Sequence, residues 1–204
     1  MKKILFVCTG NTCRSPMAEA LLKEKHPEVE VKSAGLFAHK GARLSKGSED
    51  VLKARGIDVN HASQPISPEV MRWADLTLTM TKEHKQRLIM EYPNYEPFIF
   101  TLKEYVINNE EDQWEQLKQA YSTLEDKKAV FLQKNANKYE DQQAMEKALH
   151  DHLKEEIELI KEIEANQPNI DISDPFGGEL SVYEQTLLEI EKHIELLIKK
   201  IDNK

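Results

Sequence analysis

The stretch KKILFVC, Lys2 to Cys8, runs directly into TGNTCRSP and then into MAEALL. A short, continuous apolar run followed by a polar loop reads as a buried strand of a parallel sheet. Ser15 and Pro16 supply an N-cap and a first-turn proline for a helix whose stripe is Met17, Ala20 and Leu21 and which ends near Lys25. From its first residues the chain is therefore committed to a strand–loop–helix unit, and that loop begins and ends around the protein's two cysteines, Cys8 and Cys13.

The same alternation continues. VEVKSAG predicts a second strand, Ser45 to Arg55 a helix stopped by Gly56, DLTLTM a third strand, Thr81 to Met90 a helix and EPFIFTL a fourth strand. Strands alternating with helices predict an α/β fold, a parallel sheet covered on both faces. After Tyr105 the pattern changes. From Asn108 to Ala165 there is no glycine or proline, while Trp114, Leu117, Tyr121, Leu124 and then Met145, Leu149, Leu153, Ile157 and Ile160 recur at helical spacing. Two or three helices are predicted, with breaks near Asp126 and at 135–137. A last helix is expected from a Ser181/Glu184 capping box, with Leu187, Ile190, Ile194, Leu197 and Ile201 facing a core.

The formal net charge of −8 is localised: Ile107 to Ile170 holds 15 Asp and Glu against 8 Lys. No basic stripe suits nucleic acid, and an acidic chain avoids anionic lipid. The N-terminal apolar run is shorter than the roughly 7–15-residue core of a signal peptide, and no stretch reaches the roughly 18 residues of a membrane span, so a cytoplasmic location is expected. Scattered histidines and only two cysteines argue against structural zinc; no metal or cofactor is expected.

A loop between the end of a strand and the start of a helix can aim successive backbone N–H groups into one concavity, above the positive end of the helix dipole. Such an anion cradle favours the thiolate form of Cys8, a nucleophile. Arg14 adds a planar fork that holds two phosphoryl oxygens at once, and the Ser15 hydroxyl can donate to the Cys8 sulfur. The string C-x5-R-S thus points to phosphoryl transfer through a cysteinyl-phosphate; the bland alternative is a buried strand-end cysteine. In DISDPFGG, Pro175 keeps Asp174 extended and able to present its carboxyl to a neighbouring pocket, where it can protonate a leaving group and later activate water. Taken alone, Asp-Pro is an ordinary turn.

Four ordered motifs, VCTGNTCRSPMAEALL, SAGLFA, ADLTLTMTKEHK and DPFGG, resemble the low-molecular-weight protein tyrosine phosphatase family. The likeness spans 1–106 and 171–204 and leaves 107–170 as an acidic helical insertion. It implies a three-layer α/β/α fold with a four-stranded parallel sheet, carrying an inserted helical hairpin. It also implies Cys8 as nucleophile, Arg14 as phosphate clamp, Asp174 as general acid and a phosphate-binding loop of Thr9, Gly10, Asn11, Thr12, Cys13 and Arg14, braced by Asn11. Ser15 completes the binding set.

Two departures, Thr12 in place of a bulkier aliphatic residue and Phe176-Gly177-Gly178 in place of tyrosines after Asp-Pro, resemble the bacterial protein-arginine phosphatases. A small, polar Thr12 leaves room beside phosphorus and can orient a water or a guanidinium N–H. Phosphoarginine on proteins is the expected substrate, with phosphotyrosine the alternative and a non-catalytic phosphoprotein-binding module a third reading. Cys13 is either a redox partner for Cys8 or a small loop-packing residue. The insertion is a solvated hairpin, a shaper of substrate access, or a surface for a protein partner.

Overall fold

The computed structural model describes residues 2–107, 110–135, 138–139, 141–166 and 169–203, with backbone alone for 110–115. The chain divides into two compact units, Met1–Ile107 with Ile170–Lys204, and Asn108–Asn169.

In the first unit, β1 (Lys3–Cys8), β2 (Glu30–Gly35), β3 (Leu76–Thr79) and β4 (Ile99–Thr101) form one parallel sheet in the order β2-β1-β3-β4. The α/β expectation holds, with four strands as anticipated. Ile4 and Phe6 of β1 join one apolar cluster, while Leu5 and Val7 join the other, so the period-two alternation of a strand feeds both faces of the sheet. On the first face lie α1 (Arg14–Lys25), α2 (Lys46–Ala54), α5 (Leu102–Val106) and α9 (Leu180–Asp202); on the second, α3 (Pro68–Trp73) and α4 (Lys82–Glu91). The α9 stripe is as expected: Leu187, Ile190, Ile194 and Leu197 are buried, and Ile201 partly so. Because β2 flanks β1 on one side and β3 on the other, the connections leave in opposite directions and open a crevice at the C-terminal end of β1, where Cys8 pairs with Gly35.

Several local expectations are corrected. Helix α1 starts at Arg14 with Cys13 at the N-cap and no side-chain cap, because Ser15 is drawn into the helix and turned toward Cys8. Helix α9 starts at Leu180 after Glu179, so Ser181 and Glu184 form no capping box; the box in the structure is Thr101/Glu104 at the head of α5. The fourth strand is only Ile99–Thr101, since Pro93–Phe98 winds into a 3-10 turn. Helix α3, begun by Ser67 accepting from the Val70 N–H, was not anticipated.

The second unit contains α6 (Glu110–Asn135), α7 (Gln142–His152) and α8 (Lys154–Ala165). Helix α6 passes Asp126 without a break, and α7 and α8 are separated at Leu153. Helix α6 packs on α8 around Leu117, Ala120 and Ile160, tied by a Tyr121–Glu164 hydrogen bond of 2.8 Å. The Trp114 side chain and residues 136–137 of the expected break lie outside the described residues. Among the described residues no helix is long and apolar enough to cross a membrane.

Gly35 is where the sheet meets the loop after Cys8. A Cβ there would stand 2.7 Å from the Thr9 carbonyl oxygen and 2.8 Å from the Asn11 nitrogen, both backbone atoms with little freedom to retreat. Gly35→Ala is expected to lower stability by about 1–3 kcal/mol in urea unfolding; an unchanged midpoint would show that the loop yields without cost.

Candidate active site

The loop from Thr9 to Cys13 is held by its carbonyl groups. The Cys8 carbonyl accepts from Leu36 N (3.0 Å), that of Thr9 from Phe37 N (2.8 Å) and that of Thr12 from Ser45 N (3.0 Å). The Asn11 carbonyl accepts twice, from His61 Nε2 at 2.7 Å and Ser63 Oγ at 2.6 Å. Among the described residues the N–H groups of Gly10, Asn11, Thr12 and Cys13 donate to no other protein group. With carbonyls engaged on one side and N–H groups left on the other, the loop is an anion receptor made of backbone.

Asn11 makes this shape possible. Its φ of 54° lies in the left-handed region, which asparagine tolerates better than most residues. Its side chain, fully buried, is used at both ends: Oδ1 accepts from Gln64 N (2.9 Å), and Nδ2 donates to Ser15 Oγ (3.0 Å) and Ser33 Oγ (2.8 Å). Ser33 in turn donates to Glu19 Oε2 at 2.5 Å. Because Ser15 Oγ already accepts from Asn11, its single proton goes to one of its other neighbours, Cys8 Sγ at 3.0 Å or the Ala34 carbonyl at 3.4 Å. The shorter contact, to a sulfur inside an anion cradle, is the better acceptor.

Arg14 opens α1 and is buried. Its Nη1 donates to the Ile172 carbonyl (3.3 Å), and its Nη2 to Asp174 Oδ2 (2.6 Å) and, weakly, to Thr9 Oγ1 (3.5 Å). The Asp174 side chain is half exposed, and its second oxygen accepts from Phe176 N at 3.2 Å in a turn that Gly177 closes with φ +77°. The structure therefore brings Cys8, Arg14, Ser15 and Asp174 to one crevice, with Asp174 crossing 160 positions of sequence to meet Arg14. Thr12 is partly exposed on the loop, its hydroxyl 3.6 Å from Cys13 Sγ. Both cysteines are free thiols; Cys13 Sγ donates at 3.1 Å to the Oγ of Ser45, the N-cap of α2.

Sequence reasoning missed the supports: Ser33, His61, Ser63, Gln64 and His84. Ser33 left a trace, a hydroxyl at an inward-facing position of a strand; His61, Ser63 and Gln64 sit in a loop and His84 in the first turn of α4, where polar residues are unremarkable. His84 bridges the two sides of the crevice, its Nδ1 2.9 Å from Thr81 Oγ1 and its Nε2 2.9 Å from Thr9 Oγ1. Burial, and then the nearby Arg14 charge, push its pKa down to about 4, against a weaker upward pull from Asp174 and Asp171.

A family model described as Low molecular weight phosphotyrosine protein phosphatase matches residues 3–130 of this chain, a span that ends before Asp174. A protein-arginine-phosphatase of Geobacillus stearothermophilus is 48% identical over 111 residues, covering 54% of this chain and 75% of the relative. The low molecular weight protein-tyrosine-phosphatase PtpB of Staphylococcus aureus is 41% identical over 104 residues, covering 51% and 73%. Among solved structures, the YwlE arginine phosphatase of Geobacillus stearothermophilus superimposes with a TM-score of 0.68 at 32% identity, covering 100% of this chain and 94% of that one.

The state of His84 is directly measurable. Between pH about 4 and the unperturbed value of about 6.5, the unfolded chain binds a proton at His84 that the folded protein refuses. Its contribution to stability is therefore complete above pH about 6.5 and declines as the pH falls toward 4. NMR titration is expected to place the His84 ring near 4, and His84→Gln to flatten that part of the acid-unfolding curve; a ring that titrates near 6.5 contradicts the buried geometry.

Proposed function

This chain belongs to the low molecular weight phosphotyrosine protein phosphatase family, and from that premise we propose that it is a cytoplasmic, cysteine-dependent protein-arginine phosphatase, cleaving the N–P bond of phosphoarginine on proteins. The observation that carries the reading is the 2.6 Å contact of Asp174 with Arg14, which sets a carboxyl beside the clamp of an amide-lined loop holding Cys8.

In this reading the phosphoryl oxygens take the loop N–H groups and the Arg14 fork. The Cys8 thiolate attacks phosphorus in line with the leaving nitrogen: the S–P bond forms, the P–N bond breaks, and protonated Asp174 delivers its proton to the departing guanidine nitrogen. Asp174, now a carboxylate, then takes a proton from water as the water oxygen attacks phosphorus. The S–P bond breaks, inorganic phosphate leaves, and the Ser15 hydroxyl supports the returning thiolate. The bound phosphoryl group competes with Asp174 for Arg14, which frees the carboxyl to face the leaving group.

Arginine is preferred over tyrosine as the phosphorylated side chain because Thr12 is small and polar at the partly exposed edge of the loop, and because Phe176-Gly177-Gly178 follow Asp174-Pro175. The 48% identity to a protein-arginine-phosphatase supports the same choice. Phosphotyrosine is the second reading, supported by the 41% identity to a protein-tyrosine-phosphatase. For the acidic segment 107–170 the proposal is a docking role toward basic, arginine-rich protein substrates, supported by its excess of acidic over basic residues.

Purified protein is expected to release phosphate faster from a phosphoarginine peptide than from a phosphotyrosine peptide, with Cys8→Ser slower by more than about 10³-fold on both. Thr12→Ile should move the ratio toward phosphotyrosine. Equal or greater activity of the wild type on phosphotyrosine reverses the substrate assignment, and retained turnover by Cys8→Ser removes the covalent mechanism. The docking role predicts that added salt raises KM for a basic phosphoprotein more than for free phosphoarginine; parallel changes argue against it.

A further inference from the structure

The three residues that precede Asp174 are each held by a different part of the fold. Ile172, almost fully buried, donates its N–H to the Met80 carbonyl at 2.8 Å, just beyond β3, and its carbonyl accepts from Arg14. The Asp171 side chain accepts from Lys82 N at 2.7 Å, at the start of α4. Lys103 of α5 sits beneath them with only 8% of its side chain exposed; its ammonium donates to the Asp171 carbonyl at 2.6 Å and pairs with Glu189 Oε1 of α9, also at 2.6 Å. The other Glu189 oxygen accepts from Ser173 N at 3.1 Å. One ion pair, buried at its lysine and partly exposed at its glutamate, thus grips the backbone on both sides of Ile172.

Burial works to raise the Glu189 carboxyl, but the Lys103 ammonium and the Ser173 N–H outweigh it and hold the group below the usual carboxylate range. Withdrawing the Lys103 ammonium and part of the Glu189 carboxyl from water is costly, a cost that a hydrophobic pair of similar volume would avoid. What a hydrophobic pair could not supply is a donor for the Asp171 carbonyl and an acceptor for the Ser173 N–H at fixed positions.

We propose that Lys103 and Glu189 are positioning residues for the general acid: their ion pair clamps the Asp171–Ser173 backbone and so fixes where the Asp174 carboxyl stands relative to the leaving group. Lys103 precedes the segment 108–169 and Asp171 follows it, so the same clamp closes the base of the insertion within the first unit. The path the chain takes between these residues then need not disturb Asp174. The inference rests on the assignment of Asp174 as general acid made above.

The test compares an aryl phosphate whose phenol leaves readily without protonation, para-nitrophenyl phosphate, with one that needs it, phenyl phosphate. The quantity read is the ratio of the two kcat/KM values, which reports the step in which the phenol leaves rather than hydrolysis of the shared cysteinyl-phosphate, and which does not depend on how much of a destabilised variant is folded. Asp174→Asn, Lys103→Met and Glu189→Gln are each expected to raise that ratio, by about 10-fold or more for the clamp variants and further for Asp174→Asn, since general acids contribute roughly 10²–10⁴-fold. Glu189→Gln keeps the side-chain size and serves where Lys103→Met folds poorly. If Asp174→Asn raises the ratio while both clamp variants leave it at the wild-type value, the clamp is overturned and the general acid stands. If Asp174→Asn also leaves it unchanged, the assignment of the acid fails and the clamp with it.

Discussion

Everything at the site depends on which way the peptide groups of the loop from Thr9 to Cys13 point. A peptide group has one donor and one acceptor on opposite sides, so fixing its carbonyl also fixes its N–H. Leu36, Phe37 and Ser45 through their backbones, and His61 and Ser63 through their side chains, occupy the carbonyls of Cys8, Thr9, Asn11 and Thr12. The N–H groups of Gly10, Asn11, Thr12 and Cys13 are left with no protein acceptor among the described residues. No side chain of the loop could create this alone; strand β2, the turn after it and the segment near His61 are what make a run of five residues into a receptor.

The support is polar and buried, and it is linked. Lys23, Glu19, Ser33, Asn11, Ser15 and Cys8 form a continuous chain of contacts from the surface of α1 to the Cys8 sulfur. Inside a protein such a chain rigidifies when every member is satisfied and is costly when one is lost. It explains why Ser15 sits within α1 rather than capping it: its hydroxyl is committed to Cys8 and Asn11, and the helix starts without a side-chain cap. Arg14 does the corresponding work between distant parts of the chain, joining the loop to Ile172 and Asp174. A scaffold that holds both components rigidly reduces the reorganisation required when charge moves onto the phosphoryl group.

Much of this architecture could be read in advance. The apolar runs of β1 and β3, the N-caps Ser45 and Thr81, and the α9 stripe follow local rules of period and capping, and those rules decided the elements. Failures came where distant contacts overrode local preference. Ser181 and Glu184 have the spacing of a capping box, yet the chain enters α9 from the Gly177–Gly178 turn and the helix has already begun at Leu180. EPFIFTL has strand character throughout, but Pro93 and Pro97 shape its approach into a 3-10 turn and leave three residues to pair with β3. Asp126 reads as a weak point, and α6 runs through it.

The sequence by itself determined the chemistry available: a cysteine and an arginine separated by a loop at a strand-to-helix junction, a serine beside the arginine, and a carboxyl before a proline far downstream. These are local facts, because the strand, loop and helix are contiguous and their residue types limit what a bound group can be. Tertiary structure alone decided that Asp174 meets Arg14, that Asn11 takes a positive φ with both ends of its amide occupied, and that Lys103 and Glu189 grip the backbone leading to Asp174. Each of those outcomes joins groups tens to more than a hundred positions apart. Spacing carries no signal at such separations: what brings the partners together is burial of the sheet's two faces and the requirement that every polar group drawn in with them find a partner.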